Sequence, residues 1–254
     1  MKLSVLIITY NEEKHIAKCL KSVQKIADEI IVVDSYSDDK TVDICKEFGV
    51  RLIQRAYPGQ VEQKQFALSQ AAFPMVLSID GDEELNDELL KAISREKDKS
   101  FPLSGYYFRR KAFYQGAWVN FGDWSSEWKL RLWKKDAANW VGPNPHDKVI
   151  LDNKNNSKKL SGLLHHFTFE TLDEHICQVH KYAKISGRSN LNRGRRFPFL
   201  RMVASPLVYF LKSYILKGGF LDGKRGWHIA MLSMLEKFLK YRIQMQLRNT
   251  NSLN

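Results

Sequence analysis

The chain has 254 residues, 44% apolar and 27% charged, a balance that suits one large α/β domain with or without a helical appendage and excludes disorder, collagen and coiled coil as whole-chain readings. The net charge of +12 is uneven: residues 1–100 carry 14 Lys and Arg against 18 Asp and Glu, a net of −4, while residues 101–254 sum to +16 and point to an anionic partner. Three widely spaced cysteines, Cys19, Cys45 and Cys177, exclude a disulfide framework and a zinc ribbon and suit a reducing compartment.

Leu3 to Thr9 is nearly continuous in β-branched residues and Leu, which predicts a strand buried on both faces. Asn11 reads as a helix cap, with Glu12 and Glu13 in the first turn and Ile16, Cys19, Leu20 and Val23 at helical spacing. Glu29 to Asp34 is a second buried strand. Asp38 to Thr41 opens a helix that Gly49 ends, and Val50 to Ile53 is a third strand. A helix from about Glu62 to Ala72 leads to a strand from Met75 to Asp80. This alternation predicts a mostly parallel sheet with right-handed crossovers. From Gly105 the pattern changes. Tyr106 to Lys111 and Lys129 to Trp133 read as strands around a Gly- and Trp-rich loop, and Lys154 to Lys159 as a turn. After Thr171 the spacing becomes helical. The most apolar later stretch, Met202 to Leu211, is shorter than the ~20 residues of a bilayer span, and Pro206 argues for a break within it. The N-terminal apolar run, Val5 to Ile8, is too short for a signal peptide, so a cytoplasmic location is expected.

Acidic residues gather at the carboxyl ends of the predicted strands, the edge at which open α/β sheets bind ligands. Asp34 ends one strand and Asp80-Gly81-Asp82 another. Two carboxylates flanking a glycine can face one divalent cation, which substrate phosphates then complete. Trp118, Trp124, Trp128, Trp133 and Trp140 crowd one region. Trp124 and Trp128 are candidates for stacking on a sugar ring, and Trp133 is assigned to the core. His165 and His166 read as a pair at a strand end, with a structural or a metal role. Arg188, Arg193, Arg195, Arg196 and Arg201, interleaved with Phe197, Phe199 and Leu200 and followed by the apolar Leu207 to Leu216 region, read as an interfacial element on anionic lipid or as the solvated face of a packed helix. The loop Thr9 to Glu13 is acidic and lacks glycine, which argues against a nucleotidyltransferase phosphate loop. No helix-turn-helix, RNP or zinc-finger signature is present, so no nucleic-acid partner is expected.

Four stretches in order, Thr9-Tyr10-Asn11-Glu12-Glu13, Ile31 to Thr41, Gln63 to Leu68, and Ile79-Asp80-Gly81-Asp82-Glu83, resemble the successive signatures of family 2 glycosyltransferases. His146-Asp147-Lys148-Val149, Leu164-His165-His166 and Lys217 to Gly223 are similar to bacterial lipopolysaccharide core glucosyltransferases of the WaaE type. The resemblance implies an α/β GT-A fold over residues 1–170, with 1–100 the nucleotide-sugar half and 101–170 the acceptor half, and a helical, basic extension over 171–254. It implies an inverting, metal-dependent hexosyltransferase. Its donor would be a nucleotide diphosphosugar (a UDP-sugar), its metal Mg²⁺ or Mn²⁺, and its acceptor a lipid-linked anionic glycan at the cytoplasmic face of the inner membrane. Carried over residue by residue, it implies that Thr9, Asn11 and Glu12 cradle the base and ribose, that Asp34 binds the nucleobase, and that Asp38 contacts the base or fixes its loop. Lys64 would meet a phosphate, Asp80 would lie near the ribose, Asp82 would ligate the metal, and Asp147 would be the catalytic base, with Asp123 and Glu127 as competitors. Gln65 departs from the Asn or Arg that the family commonly shows. Asp147 stands where the subgroup usually has Glu, a longer arm, and that departure leaves a non-catalytic sugar- or lipid-binding relative as the alternative.

Overall fold

The computed structural model describes residues 1–142, 147–194 and 197–251, with 249–251 as backbone only. His146, Arg195 and Arg196 lie outside the described residues. The chain runs β1 (Leu3–Thr9), α1 (Ile16–Gln24), β2 (Glu29–Asp34), α2 (Thr41–Glu47), β3 (Arg51–Gln54), α3 (Gln60–Gln70), β4 (Met75–Asp80), β5 (Glu83–Leu85) and α4 (Asp87–Asp98). It continues through β6 (Gly105–Tyr114), β7 (Ala117–Trp118), β8 (Glu127–Lys134), β9 (Ala138–Val141), β10 (Lys148–Leu151) and β11 (Ser157–Phe169), then α5 (Leu172–Asn192), α6 (Pro198–Phe210) and α7 (Gly223–Asn251).

One compact unit comprises Met1–Lys111, Glu127–Gly142 and 147–167. Its sheet has the order β3-β2-β1-β4-β8-β6-β11-β5. The pairs β2–β3, β1–β2 and β1–β4 are parallel, as helical crossovers require. The pairs β4–β8, β6–β8 and β5–β11 are antiparallel, so the sheet is mixed and the expected parallel part is β1 to β4. All seven residues of β1 are buried. Leu3, Val5 and Ile7 share a core with Ile16, Leu20 and Val23 of α1 and Leu89 and Ile93 of α4. Leu6 and Ile8 share the other with Val61 and Leu68 of α3 and with Trp133 and Trp140. Trp133 is fully buried, as assigned.

Three local readings change. The first helix begins at Ile16, and Asn11 adopts a left-handed backbone (φ +55°) instead of capping it. A helix additional to those expected, α4, is capped by Asn86, whose side chain accepts a bond from the Leu89 amide at 2.9 Å. His165 and His166 lie within β11, opposite Glu84 and Glu83, and do not end a strand.

The second unit comprises Ala112–Ser126, 168–194 and 197–251. Thr171 and Glu174 form a capping box at the start of α5. Pro206 is buried inside α6 and does not end it. The helix passes into a π turn over Leu211–Leu216, closed by a bond from the Lys217 amide to the Lys212 carbonyl at 2.9 Å. The stretch Pro198–Leu216 therefore reaches 19 residues at a mean hydropathy of 1.3, long and apolar enough to cross a membrane by length and composition, in contrast to the shorter Met202 to Leu211 run expected from the sequence.

At the centre of this unit His175 is 3% exposed. Its Nδ1 lies 2.9 Å from the Tyr114 hydroxyl, and its ring stacks on Phe169 at 4.7 Å and meets Trp124 at 5.1 Å. Burial, aided by His228, pushes the imidazole down to about 4. The folded state thus resists a proton that the unfolded chain accepts near pH 6.5. Its contribution is complete above pH 6.5 and declines as pH falls toward 4, by about 2 kcal/mol at pH 5. Urea unfolding between pH 7 and pH 5 should show a steeper loss for the wild-type chain than for His175→Phe. Parallel curves would remove His175 from the acid sensitivity.

Candidate active site

The carboxyl ends of the parallel strands bring the predicted residues together by register: Thr9 pairs with Asp34, and Ile8 with Asp80. Asp34 is fully buried. Its carboxylate accepts bonds from the Ser37 amide (2.9 Å), the Ser37 hydroxyl and Gln54 Nε2 (3.2 Å), so it orders the loop after β2. The loop after β1 is tied to the same segment. Asn11 Nδ2 donates to Asp38 Oδ1 at 2.6 Å, and the Asp38 amide donates back to Asn11 Oδ1 at 3.0 Å. The Asn11 amide donates to the Ser37 hydroxyl (2.9 Å) and the Glu12 amide to the Thr41 hydroxyl (2.8 Å). Thr9 Oγ1 is buried with no hydrogen-bond partner. A Cβ at Gly81 would come within 2.7 Å of that oxygen, so glycine keeps the space beside it open.

Lys64 of α3 is 2% exposed. Its ammonium lies 2.9 Å from Asp80 Oδ1 and 2.9 Å from Asp147 Oδ2, and 4.6 Å from the centre of the Trp140 ring. Arg131 of β8, 4% exposed, reaches Asp80 at 3.2 Å and the fully buried Glu83 at 2.6 Å. Arg110 stands 3.5 Å from the same Glu83. The Asp80 amide donates to Glu83 Oε2 at 3.0 Å. Burial pushes the Asp80 carboxyl up, but Lys64 and Arg131 outweigh it and hold that group well below the usual carboxylate range. Glu83 belongs to the acidic run that the sequence shows at the end of β4, whereas nothing in the sequence analysis points to Arg110 or Arg131. The available signal was Arg131 between Leu130 and Leu132, a charge at an inward position of an apolar strand.

Asp82 takes no part in that network. From the turn just before β5, its Oδ2 faces His166 Nε2 of β11 at 3.2 Å. The Asp82 carboxylate is an oxygen donor that both Mg²⁺ and Mn²⁺ take, with substrate phosphates completing the shell, while the His166 imidazole suits Mn²⁺ and not Mg²⁺, so the pair fits Mn²⁺ better of the two implied cations. Among the described residues no three His, Cys, Asp or Glu side chains cluster as a full protein-only site. The competing bases have cationic partners of their own. Asp123 belongs to the second unit and pairs with Lys217 there, and Glu127 pairs with Arg110 and with Lys129 at 3.0 Å. Trp124 packs against Tyr114, Phe169 and His175 inside the second unit. Trp128 is 40% exposed on β8, with the Lys159 ammonium 4.9 Å above its ring.

Residues 4–150 match the family model described as glycosyl transferase family 2. A protein named as an uncharacterized glycosyltransferase of Rickettsia typhi is 30% identical over 94% of this chain and 85% of its own length. The lipopolysaccharide core biosynthesis glycosyltransferase LpsC of Rhizobium meliloti is 27% identical over 94% of this chain and 90% of its own. Among solved structures, glucosyl-3-phosphoglycerate synthase from Mycobacterium tuberculosis aligns at 23% identity and a TM-score of 0.36, over 45% of this chain and 44% of that one.

Removing one partner of a buried ion pair strands the other, at about 3 kcal/mol or more. Lys64→Met should therefore destabilise the fold by that order at pH 7. Without Lys64 the Asp80 carboxyl moves back up, so the gap to wild type is full above the ordinary carboxylate range and narrows as pH falls through it. Denaturant titrations at pH 7 and pH 4 measure this. A gap that stays constant or widens in acid would show that Lys64 acts by packing alone.

Proposed function

Because the chain belongs to glycosyl transferase family 2, we propose that it transfers a hexose from a UDP-sugar to a lipid-linked anionic glycan, with inversion at the anomeric carbon. Glucose is the choice favoured by the signatures of the second half, and a lipopolysaccharide core acceptor by those signatures together with the name of the R. meliloti relative. The observation that carries the reading is the buried Lys64 holding Asp80 and Asp147 together at the carboxyl edge of the parallel strands.

In this reading the interlocked Asn11–Asp38 loops and the Thr9 hydroxyl receive the nucleoside, and Lys64 offers its charge to the diphosphate. Asp147 accepts the proton of the acceptor hydroxyl. That oxygen forms its bond to the anomeric carbon as the bond to the diphosphate oxygen breaks, and UDP leaves with the electron pair. Asp82, with His166 beside it, would hold a divalent cation, which supplies charge compensation for the leaving diphosphate. The transferase chemistry then belongs to residues 1–170, and the basic residues of 171–254 suit the anionic groups of the acceptor.

The test is a thermal-shift series with nucleotide diphosphates and their sugars, with and without Mn²⁺, followed by turnover. A ligand that binds only the native state raises the melting temperature. UDP or a UDP-sugar should stabilise the protein in a metal-dependent way, and Asp82→Ala should abolish that shift. Asp147→Asn should keep the shift and lose turnover by about a hundredfold or more. Full turnover in Asp147→Asn would overturn the base. No shift with any nucleotide would favour a sugar- or lipid-binding relative.

A further inference from the structure

The helix that follows the arginine-rich segment is built inside out. Pro198–Leu216 is only 11% buried. Leu200 is 67% exposed, and Val203, Leu207, Val208, Leu211 and Ile215 are each at least half exposed. At about 100° per residue these six positions fall on one side of the helix. The opposite side carries the polar groups. Ser213 is 2% exposed and its hydroxyl accepts the Asp123 amide at 3.1 Å, and the Tyr209 hydroxyl lies beside Ser213 and Ser233. A helix of a water-exposed surface shows the reverse, with apolar residues inward and polar ones outward. An exposed apolar stripe of this extent marks a surface that meets an apolar phase.

From this we propose that the outer face of α6 and its π turn is a membrane-docking surface, seated at the interface of a bilayer with anionic headgroups. Charge complementarity identifies the occupant. Arg201 and Lys212, both exposed, lie three turns apart on one flank of the stripe, where headgroup phosphates would stand. The half of the chain that holds them carries the whole excess of positive charge. Aromatic residues extend the same region. Phe210, Tyr214, Phe220 and Trp227 form one ring cluster, with Tyr214–Trp227 centroids 5.5 Å apart, and Phe220 and Trp227 are 49% and 45% exposed. Amphipathic rings of this kind sit at headgroup depth. The helix lies on the membrane and does not cross it, because its inner side packs on α7. That neighbour carries Lys224, Arg225, Glu236, Lys237, Lys240 and Arg242, and a spanning α6 would draw those charges into hydrocarbon. This surface is independent of the donor site, although a lipid-linked acceptor would be found there.

Co-sedimentation of the full chain with vesicles tests it. The probes are phosphatidylethanolamine vesicles containing phosphatidylglycerol, and pure phosphatidylcholine vesicles. Wild-type protein should pellet with the anionic vesicles, less as salt is raised, and weakly with phosphatidylcholine. Leu207→Glu/Leu211→Glu should lower the partition at least tenfold while the melting temperature and any nucleotide-induced shift are unchanged. Arg201→Gln/Lys212→Gln should remove most of the preference for anionic lipid. Wild-type protein that stays in the supernatant with every vesicle would falsify the proposal. So would a double-Glu variant that pellets like wild type, or an oligomer in sedimentation velocity that the double-Glu change dissociates, since the stripe would then be covered by a second copy. The nucleotide shift reports separately on the transferase reading, so failure of one leaves the other standing.

Discussion

The site depends on positive charge buried among carboxylates. Asp80, Glu83 and Asp147 are acidic groups withdrawn from water at one edge of the sheet, and their mutual repulsion would push the strand ends apart. Lys64 and Arg131, both nearly fully buried, and Arg110 hold them in place. Such a network is an expensive way to stabilise a core, because desolvating each charge costs several kcal/mol that the pairing repays only in good geometry. An apolar cluster of the same volume would serve stability as well. What the network provides instead is a fixed position for two carboxylates relative to one ammonium. A nucleotide diphosphate is an anion that could take a share of Lys64, which would alter the surroundings of Asp147 and Asp80 together. The proposed donor site and the proposed base are in that sense one electrostatic unit.

Much of this was legible in the sequence because strands buried on both faces leave a plain signal. The bounds of β1, β2 and β4 agree with the continuous runs at Leu3 to Thr9, Glu29 to Asp34 and Met75 to Asp80, and those runs end on the residues that line the site. What was not legible is pairing across long separations. Nothing local says that Lys64 reaches Asp147, or that Arg131 turns inward onto Glu83. Asn11 shows the same limit at short range. Its residue type suits a helix cap, yet its amide and carbonyl are better satisfied by Asp38 on the neighbouring loop, and the tertiary bond overrides the local preference. Asp34 has its carboxylate engaged by Ser37 and Gln54, so what the geometry shows it doing is ordering the loop after β2.

The C-terminal helices show where a correct local rule gives a wrong local answer. Proline removes a backbone donor, and Pro206 should break a helix whose carbonyls have no other partner. Here the helix has passed its first turn, continues through Pro206, and absorbs irregularity later, in the π turn that ends at Lys217. The same segment reverses the usual direction of amphipathicity. Its serines and tyrosine turn toward the protein, where Ser213 satisfies a backbone amide, and its leucines turn outward. Hydropathy alone cannot distinguish such a helix from a core helix, because both are rich in the same residues. Burial separates them: a core helix hides the residues that this one exposes. The physical content of the segment lies in that orientation, and the orientation follows from where α7 packs and from which side chains on α6 can satisfy polar groups on that side.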